Sequence, residues 1–378
     1  MIKPNPAAAT IGFTRWMRRV PAPLSAGADG GLTTVLLPMD PSLSDILAVA
    51  RRAARAASAV CLGVLEEAPA APDAMAKLGK EPVTVADYGS QAVILEAVAA
   101  AFSGHGVIAE EGAAHFAVHA GEAGAEQIVR LVGRALGRSV SLAEVLGWID
   151  HGGGAEPFTW VIDPIDGTKG FLRRDQFAVA VGLLHEGVPV AGVLGCPHLP
   201  RHLTDPASPR GLLFWGGRGL GAFREGLDGG EPEPISVSEV TQATQVRVLG
   251  SVESAHGDPA VLQAVIDRAG LGGGWVRLDS QVKYGAVASG MAEVYLRPRS
   301  RPDYRDCIWD HVAGVAVVEA AGGRVSDLDG RALDFSLGSR LEANRGVLVS
   351  NGRVHDLVLE ALATAGDRTP GDGAPPTV

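Results

Sequence analysis

Two carboxylates three residues apart stand at the end of an apolar run. The segment from Trp160 to Phe171 reads WVIDPIDGTKGF, with Asp163 and Asp166 as its acids. Oxygen ligands at a strand end suit Mg²⁺, which binds few carboxylates and keeps several waters. The backbone N–H groups and hydroxyl of Gly167 and Thr168 suit a phosphate. Asp-Gly is also frequent in ordinary turns, so the spacing of the two acids alone favours a turn, whereas the whole string favours a metal and phosphate site.

Three further acidic positions stand at the ends of predicted elements. Glu110 and Glu111 follow a short apolar strand, and adjacent carboxylates raise each other's pKa unless a cation lies nearby. Asp310 begins a predicted helix. Asp87 occupies the N3 position of a predicted capping box whose N-cap is Thr84. Alone, each has an ordinary interpretation, as a solvated loop or a helix cap. Acids from four element ends, taken together, predict two or three Mg²⁺ ions that bind a phosphate.

These acids must be positioned by a mixed α/β (α+β) chain, as the hydrophobic periodicity indicates. Helices are predicted at 43–66, 84–102, 122–137, 141–150, 258–269, 281–290, 311–321 and 353–364. Strands are predicted at 107–109, 160–162, 177–184, 188–194, 246–249, 293–296, 324–326 and 346–349. Ser141 and Glu144 form a second predicted capping box.

The order of these elements predicts two subdomains between less regular ends. Residues 1–40 are expected to be a loosely ordered extension, with Met39 as a candidate translation start, and 366–378 a disordered tail. An N-terminal α+β metal-binding part is predicted at 41–235 and a C-terminal α/β substrate-binding part at 236–365. The boundary follows a Gly/Pro/acidic stretch near 226–234.

Composition excludes several classes of protein. The 378 residues carry a net charge of −10, which disfavours nucleic-acid partners and requires a local cationic pocket for an anionic ligand. Neither a transmembrane helix nor a secretory signal is expected. Three distant cysteines indicate neither a disulfide framework nor a zinc site, so the expected location is a reducing cytoplasm. Only five of 33 basic residues are lysines, which makes a lysine inside a motif more notable.

The motifs resemble those of the lithium-sensitive, Mg²⁺-dependent inositol monophosphatase superfamily, and most of all its bisphosphate nucleotidase branch. The resemblance covers residues 43 to 363. It rests on the segment from Asp163 to Phe171, on Glu110-Glu111, and on the strings PVTVADYGSQ (82–91), DSQVKYG (279–285), IWDHVAG (308–314) and LDFS (333–336). It implies a layered αβαβα sandwich.

The resemblance also implies roles for single positions. Metal ligands would be Glu110, Asp163, Asp166, Asp310 and the carbonyl of Ile165. Asp87 and Thr168 would be catalytic and activate the attacking water. The substrate would be bound by Gly167, Thr168, His256, Ser280, Lys283 and Arg297. Lys283 and Arg297 are the local cations that a doubly phosphorylated ligand requires in an acidic protein.

Each binding residue also has an ordinary structural interpretation. His256 would then be a loop histidine, Arg297 a surface arginine and Lys283 a residue on a solvated helix face. His311 could be a metal ligand or base, but a hydrogen-bonded histidine at a helix start is favoured.

The predicted function is a Mg²⁺-dependent phosphatase that removes the 3′-phosphate of adenosine 3′,5′-bisphosphate (PAP), and also of the sulfate donor PAPS. One alternative is an inositol mono- or polyphosphate phosphatase with the same metal core. Another is a non-catalytic nucleotide sensor. A purely structural acidic protein would require that all four acidic positions be ordinary turns, loops or helix caps. The expected partner is a small phosphorylated nucleotide, with no nucleic acid or membrane, and the chain is expected to be a monomer or homodimer.

Overall fold

The computed structural model of the chain describes residues 41–68, 81–114, 116, 120–154, 156–205, 207–252, 259–299, 301 and 303–365. The predicted extension at 1–40, the predicted tail at 366–378 and His256 lie outside these residues. Within the described part of the chain, no helix combines the length and apolar character that crossing a membrane requires.

In the described part of the chain, four longer helices precede or interrupt the first sheet. They are α1 (Leu43–Glu67), α2 (Glu81–Ala101), α3 (Gly121–Leu136) and α4 (Leu142–Ile149). The buried face of α1 is rich in alanine, which lets α1 and α2 pack closely. At the start of α4 the predicted capping box is confirmed, because Glu144 N donates to Ser141 Oγ and Ser141 N donates to a Glu144 carboxylate oxygen.

The predicted capping box at the start of α2 is wrong. The helix begins at Glu81, three residues before Thr84, so Thr84 is not its N-cap. Pro82 is tolerated in a first helical turn, where an N–H has no partner to lose, and this allows the earlier start. Asp87 therefore lies in the second turn, where it is only 6% exposed.

Seven strands form the first sheet in chain order. They are β1 (Gly106–Ala109), β2 (Phe158–Asp166), β3 (Ala178–His185), β4 (Val188–Pro200), β5 (Arg210–Gly217), β6 (Gly221–Gly226) and β7 (Gly229–Ile235). The pair β1–β2 is parallel and the others are antiparallel. The Gly/Pro/acidic stretch expected at a boundary is thus strand β7, at a sheet edge where proline is tolerated. The predicted division after residue 235 stays a prediction.

The second sheet has five short strands in the order β11-β12-β10-β8-β9. They are β8 (Val248–Gly250), β9 (Trp275–Arg277), β10 (Val294–Arg297), β11 (Arg324–Ser326) and β12 (Val347–Ser350). The remaining helices are α5 (Thr168–Leu172), α6 (Pro259–Ala269), α7 (Val282–Ala288), α8 (Val312–Ala320) and α9 (His355–Ala365). Strands β5, β6, β7 and β9 are absent from the sequence prediction.

These elements stack as alternating helix and sheet layers. Helix α1 packs against β3, β4 and β5, while α8 also packs against those three strands. One apolar core joins α7 and α8 to both sheets through residues such as Phe214, Tyr284 and Val349. A second core places α6 and α9 against the second sheet. The predicted layered αβαβα fold is therefore confirmed.

Helix α8 approaches the first sheet so closely that glycine is required beneath it. A Cβ built on Gly192 of β4 would lie 2.1 Å from the carbonyl oxygen of Ala313. A Cβ on Gly182 of β3 would lie 2.7 Å from Val312 Cγ1. These contacts fix the height of the α8 N-terminus above the sheet, which matters because Asp310 lies just before it.

Gly192→Ala should destabilise the fold, because its methyl group would displace the backbone of α8. We expect a loss of about 2 kcal/mol in the free energy of unfolding, measured by urea denaturation. Gly147→Ala is the matched control. It lies in α4 with no atom within 4 Å of the added Cβ, so alanine should stabilise the helix by about 0.5 kcal/mol. An equally stable Gly192→Ala variant would contradict the close approach.

Candidate functional site

A bulge near the end of β2 brings its two aspartates together. Side chains three residues apart on a regular strand point to opposite faces. Here the pairing with β3 shifts between Asp163, opposite Ala180, and Asp166, opposite Ala178. One extra residue therefore sits in β2, and Pro164 lies at this break because it has no N–H for the ladder. The bulge lets both carboxylates reach the same site.

Local hydrogen bonds hold the bulge and the turn after it. Asp163 accepts a bond of 3.1 Å from Ile165 N, and Ser90 of α2 donates to the carbonyl of Pro164 at 2.9 Å. The Thr168 hydroxyl lies 3.5 Å from the carbonyl oxygen of Ile165. The backbone of Gly167 has φ +90°, a left-handed conformation that favours glycine. The turn thus places the Ile165 carbonyl and the Thr168 hydroxyl side by side.

Helix α2 and the end of β1 supply the next acids. Asp87 is buried on α2, and it lies near enough to Glu110 and Glu111 for their charges to affect its pKa. The Glu111 carboxylate accepts a hydrogen bond from the Tyr88 hydroxyl. Glu110 is more exposed to solvent than Asp87, and its carboxylate lies next to that of Asp163. Of the adjacent pair, Glu110 is therefore the one whose carboxylate joins the β2 aspartates.

Asp310 completes the cluster from the other side of the sheet. It ends a 3₁₀ turn at Ile308–Asp310, and His311 occupies the N-cap position of α8. The helix-cap alternative for Asp310 is therefore wrong. Its carboxylate instead accepts a bond of 3.0 Å from an Arg297 Nη atom, while Arg297 Nε lies 2.9 Å from Asp306.

The carboxylates lie close enough together for the charge of one to raise the pKa of another. Loss of solvation, with the charges of Asp310 and Glu111 added, raises the pKa of Glu110 to about 7. Burial and Asp310 raise the pKa of Asp166 to about 6, against the opposing effect of Lys283 and Arg297. Burial raises the pKa of Asp87 and Asp163 well above the ordinary value, and in both cases the charge of Glu110 adds to it.

The donor set fits Mg²⁺. It consists of oxygen atoms only, from four carboxylates and the Ile165 carbonyl, which is the chemistry that this ion prefers. Lys283 and Arg297 offset the charge at one end of the cluster, near Asp166 and Asp310. Divalent cations would relieve the remaining repulsion, which burial makes costly.

The predicted substrate residues lie beside this cluster. Ser280 has φ +60°, and its Cβ would be 2.9 Å from a Cβ built on Gly167. The preceding residue, Asp279, pairs with Arg173 at 2.5 Å, which ties the loop to the α5 turn. The structure therefore brings Gly167, Thr168 and Ser280 together, whereas His256 is outside the described residues.

The ordinary interpretations of the two cations are wrong. Lys283 is 3% exposed, and its Nζ donates to the carbonyl of Leu278 at 3.0 Å. Burial, with Arg297 nearby, lowers the pKa of Lys283 to about 8 although the neighbouring acids oppose this. Arg297 is not a surface arginine, because its guanidinium is held between Asp306 and Asp310. His311 is fully buried and its Nδ1 lies 2.6 Å from the Tyr284 hydroxyl, in agreement with the favoured structural interpretation.

Sequence reasoning assigned no role to three residues that support the cluster. Asp306 anchors Arg297, and burial alone would raise its pKa, but Arg297 and His311 hold that pKa well below the ordinary value. Gln91 and Gln281 lie inside the motif strings and are almost fully buried. Gln91 lies four residues after Asp87 on the same side of the helix, a spacing that could have identified it, whereas nothing in the sequence distinguishes Asp306.

The layers and the cluster define a class of protein, an α/β sandwich with carboxylates gathered beside the bulge of its first sheet. The chain belongs to the inositol monophosphatase family, whose model matches residues 42–367. This confirms the resemblance found in the motifs. Enzymes of this family are generally dependent on Mg²⁺.

Several relatives have more specific names. A probable 3′(2′),5′-bisphosphate nucleotidase 4 of Arabidopsis thaliana is 38% identical over 77% of this chain and 86% of its own length. The 3′(2′),5′-bisphosphate nucleotidase of Schizosaccharomyces pombe is 33% identical over 86% of this chain and 95% of its own length. That of Oryza sativa is 37% identical over 84% and 94%.

Solved structures share the fold. An inositol monophosphatase from Anabaena is 26% identical, covers 85% of this chain and 96% of its own, and has a TM-score of 0.55. Inositol monophosphatase II from Staphylococcus aureus covers 85% of this chain and 97% of its own, with a TM-score of 0.56. Because its sequence is 18% identical, it supports the fold alone.

The stability of the metal-free protein should depend on the charge of Glu110. Because its pKa rises from 4.5 to about 7 on folding, the stability from its bound proton is fully present below pH 4.5. That stability is lost as the pH rises through 7. In EDTA at about pH 8, Glu110→Gln should therefore be more stable than wild type by about 1 kcal/mol. The effect is no larger because solvent screens the charge of this partly exposed side chain.

Urea denaturation at several pH values tests this expectation. The difference between Glu110→Gln and wild type should shrink to near zero well below pH 4.5, where Glu110 is protonated in both the folded and the unfolded state. Histidine titration affects both proteins equally and cancels in the difference. Exposed Glu360→Gln on α9 is the control and should show no such trend. A variant that is less stable than wild type at high pH would show that the carboxylates do not repel.

Proposed function

We propose that this protein is a Mg²⁺-dependent phosphatase that hydrolyses the 3′-phosphate of PAP to give AMP and phosphate. PAPS is a second proposed substrate. The observation that carries the proposal is the convergence of Glu110, Asp163, Asp166 and Asp310 on one site beside the Gly167–Thr168 turn. The names of the relatives support a nucleotide rather than an inositol substrate.

In the proposed site, Glu110, Asp163, Asp166, Asp310 and the Ile165 carbonyl hold two or three ions. Mg²⁺ bound there supplies positive charge that stabilises the charge on the phosphoryl oxygens. The buried, mutually repelling carboxylates are suited to this role, because each gains from a nearby cation.

Asp87 and Thr168 position the attacking water in the proposed reaction. The Thr168 hydroxyl donates to the Ile165 carbonyl at 3.5 Å, and its oxygen accepts a hydrogen bond from the water. The Asp87 carboxylate accepts the proton, and its raised pKa favours this step. As the water oxygen bonds to phosphorus, the bond from phosphorus to the 3′ oxygen breaks in line with the attack. The electron pair of that bond goes to the 3′ oxygen, which takes a proton from solvent water to become the 3′ hydroxyl of AMP.

The substrate is proposed to lie along Gly167, Ser280 and the two internal cations. A second phosphate distinguishes PAP from a monophosphate, and it requires positive charge in a chain of net charge −10. Lys283 and Arg297 supply that charge from within the protein, since both are held by internal partners. His256 is proposed to contact the nucleotide as well. A reducing cytoplasm is the proposed location, and the three cysteines are unpaired.

An inositol phosphatase is the second candidate, because the Anabaena neighbour bears that name. Phosphate release from PAP and from inositol 1-phosphate, measured side by side with and without Mg²⁺, distinguishes the two. We expect a Mg²⁺-dependent preference for PAP. Preference for inositol 1-phosphate would keep the metal ligands and reject the nucleotide pocket. PAP binding without release from either compound would favour the sensor.

Asp163→Asn should abolish turnover and leave the fold intact. The amide has the same shape as the carboxylate that it replaces at a buried position, but it lacks the charge that the ions require. We expect kcat to fall at least about 10³-fold with an unchanged far-UV circular dichroism spectrum. Asp267→Asn, at an exposed site on α6, is the control. Near-normal turnover by Asp163→Asn would refute the proposed site.

A further inference from the structure

Two buried glutamines flank the acidic cluster, and the proposed chemistry uses neither of them. Gln91 of α2 is 0% exposed and Gln281, just before α7, is 1% exposed. The side-chain amide of each makes two hydrogen bonds to the backbone, and at least one of them goes to the residue next to a carboxylate of the cluster. Buried amides with both ends satisfied rigidify their surroundings.

Gln91 holds the chain directly after β1. Its Nε2 donates to the carbonyl of Glu111 at 2.7 Å, and Glu111 N donates to its Oε1 at 3.1 Å. Both ends of one amide are thus bound to one residue, as in a strand pair. Because Glu110 is the preceding residue, this contact fixes the direction in which its side chain leaves the backbone.

Gln281 does the same on the opposite side of the cluster. Its Nε2 donates to the carbonyl of Trp309 at 2.8 Å, and Gly314 N donates to its Oε1 at 3.1 Å. The two partners lie on either side of the start of α8, so the amide joins the 3₁₀ turn to the helix. Its own backbone N–H donates to an Asp166 carboxylate oxygen at 2.6 Å. Gln281 therefore contacts Asp166 directly and fixes the residue before Asp310.

Glu110 and Asp310 need such support because they face each other. They come from chain segments about 200 residues apart in sequence, and like charges at short range repel strongly when partly desolvated. Arg297 already holds Asp310 through one carboxylate oxygen at 3.0 Å, and further fixed cations would compete with Mg²⁺ for the oxygens that remain. Neutral amides on the adjacent backbone resist the separation and leave the carboxylate oxygens available.

We propose that Gln91 and Gln281 are positioning residues that hold Glu110 and Asp310 at the separation required for Mg²⁺. This inference rests on the proposed function, because it assumes that the cluster binds the ion. Partners that orient metal ligands commonly change metal affinity by 10- to 100-fold when they are removed.

Gln91→Met and Gln281→Met test the proposal. Methionine keeps the length of the side chain and removes both hydrogen bonds. The measured quantity is the dissociation constant for Mg²⁺ of the folded, EDTA-treated protein, obtained by isothermal titration calorimetry well below the melting temperature. We expect each variant to bind Mg²⁺ about 10-fold or more weakly. At saturating Mg²⁺, kcat with PAP should recover most of its wild-type value.

Asn351→Leu is the matched control for loss of a buried amide. Asn351 is 2% exposed, and its Nδ2 donates to the carbonyls of Ser238 and Val240. This variant should lower the melting temperature and keep the Mg²⁺ dissociation constant of wild type. If a methionine variant does not fold, Gln91→Asn or Gln281→Asn replaces it. The shorter amide cannot span both partners, so the same weakening is expected.

The outcomes separate this inference from the proposed function. If wild type itself does not bind Mg²⁺, the proposed function fails and the inference falls with it. If wild type binds Mg²⁺ and the glutamine variants bind it equally well, the inference is overturned while the proposed function stands. A lower melting temperature with unchanged Mg²⁺ affinity likewise overturns it, because that is the behaviour of the Asn351→Leu control.

Discussion

Repulsion between carboxylates is the constraint on which the rest of the site depends. Asp163 is almost fully buried, and Glu110, Asp166 and Asp310 all lie close enough to raise its pKa. Bringing these like charges together in the folded chain lowers its free energy of unfolding. The scaffold must therefore hold each acid through its backbone. The β2 bulge, the α2 hydrogen bond to Pro164 and the close contact of α8 with β4 do this.

The cations of the site are as constrained as its acids. Arg297 lies between Asp306 and Asp310, and Lys283 is buried against the Leu278 carbonyl. Their positive charge is therefore fixed in place before any ligand arrives. Preorganised charge of this kind costs no reorganisation during a reaction, which is the main source of electrostatic stabilisation in enzymes.

The sequence predicted those parts of the site that local patterns determine. The turn after β2 and the acid at Glu110 follow from apolar runs that end in charged residues, whereas Asp310 follows from the predicted start of a helix. Asp87 was identified, but its helix was placed too short because a Thr-to-Asp spacing resembled a capping box. The burial of Lys283 depends on contacts with Leu278 and Tyr295 that only the folded chain makes. The partner of Arg297, Asp306, likewise has no local signal.

Helix α2 bears Asp87, Ser90 and Gln91 within five residues, and each reaches a different part of the molecule. One residue inserted into an α-helix rotates everything beyond it by about 100°. A single insertion between Asp87 and Ser90 would therefore leave Asp87 in the site and rotate Ser90 and Gln91 away from their partners. Substitutions within this helical turn can preserve its geometry, whereas a change in its length cannot. The length of this short segment is thus under a stricter constraint than most of its residue identities.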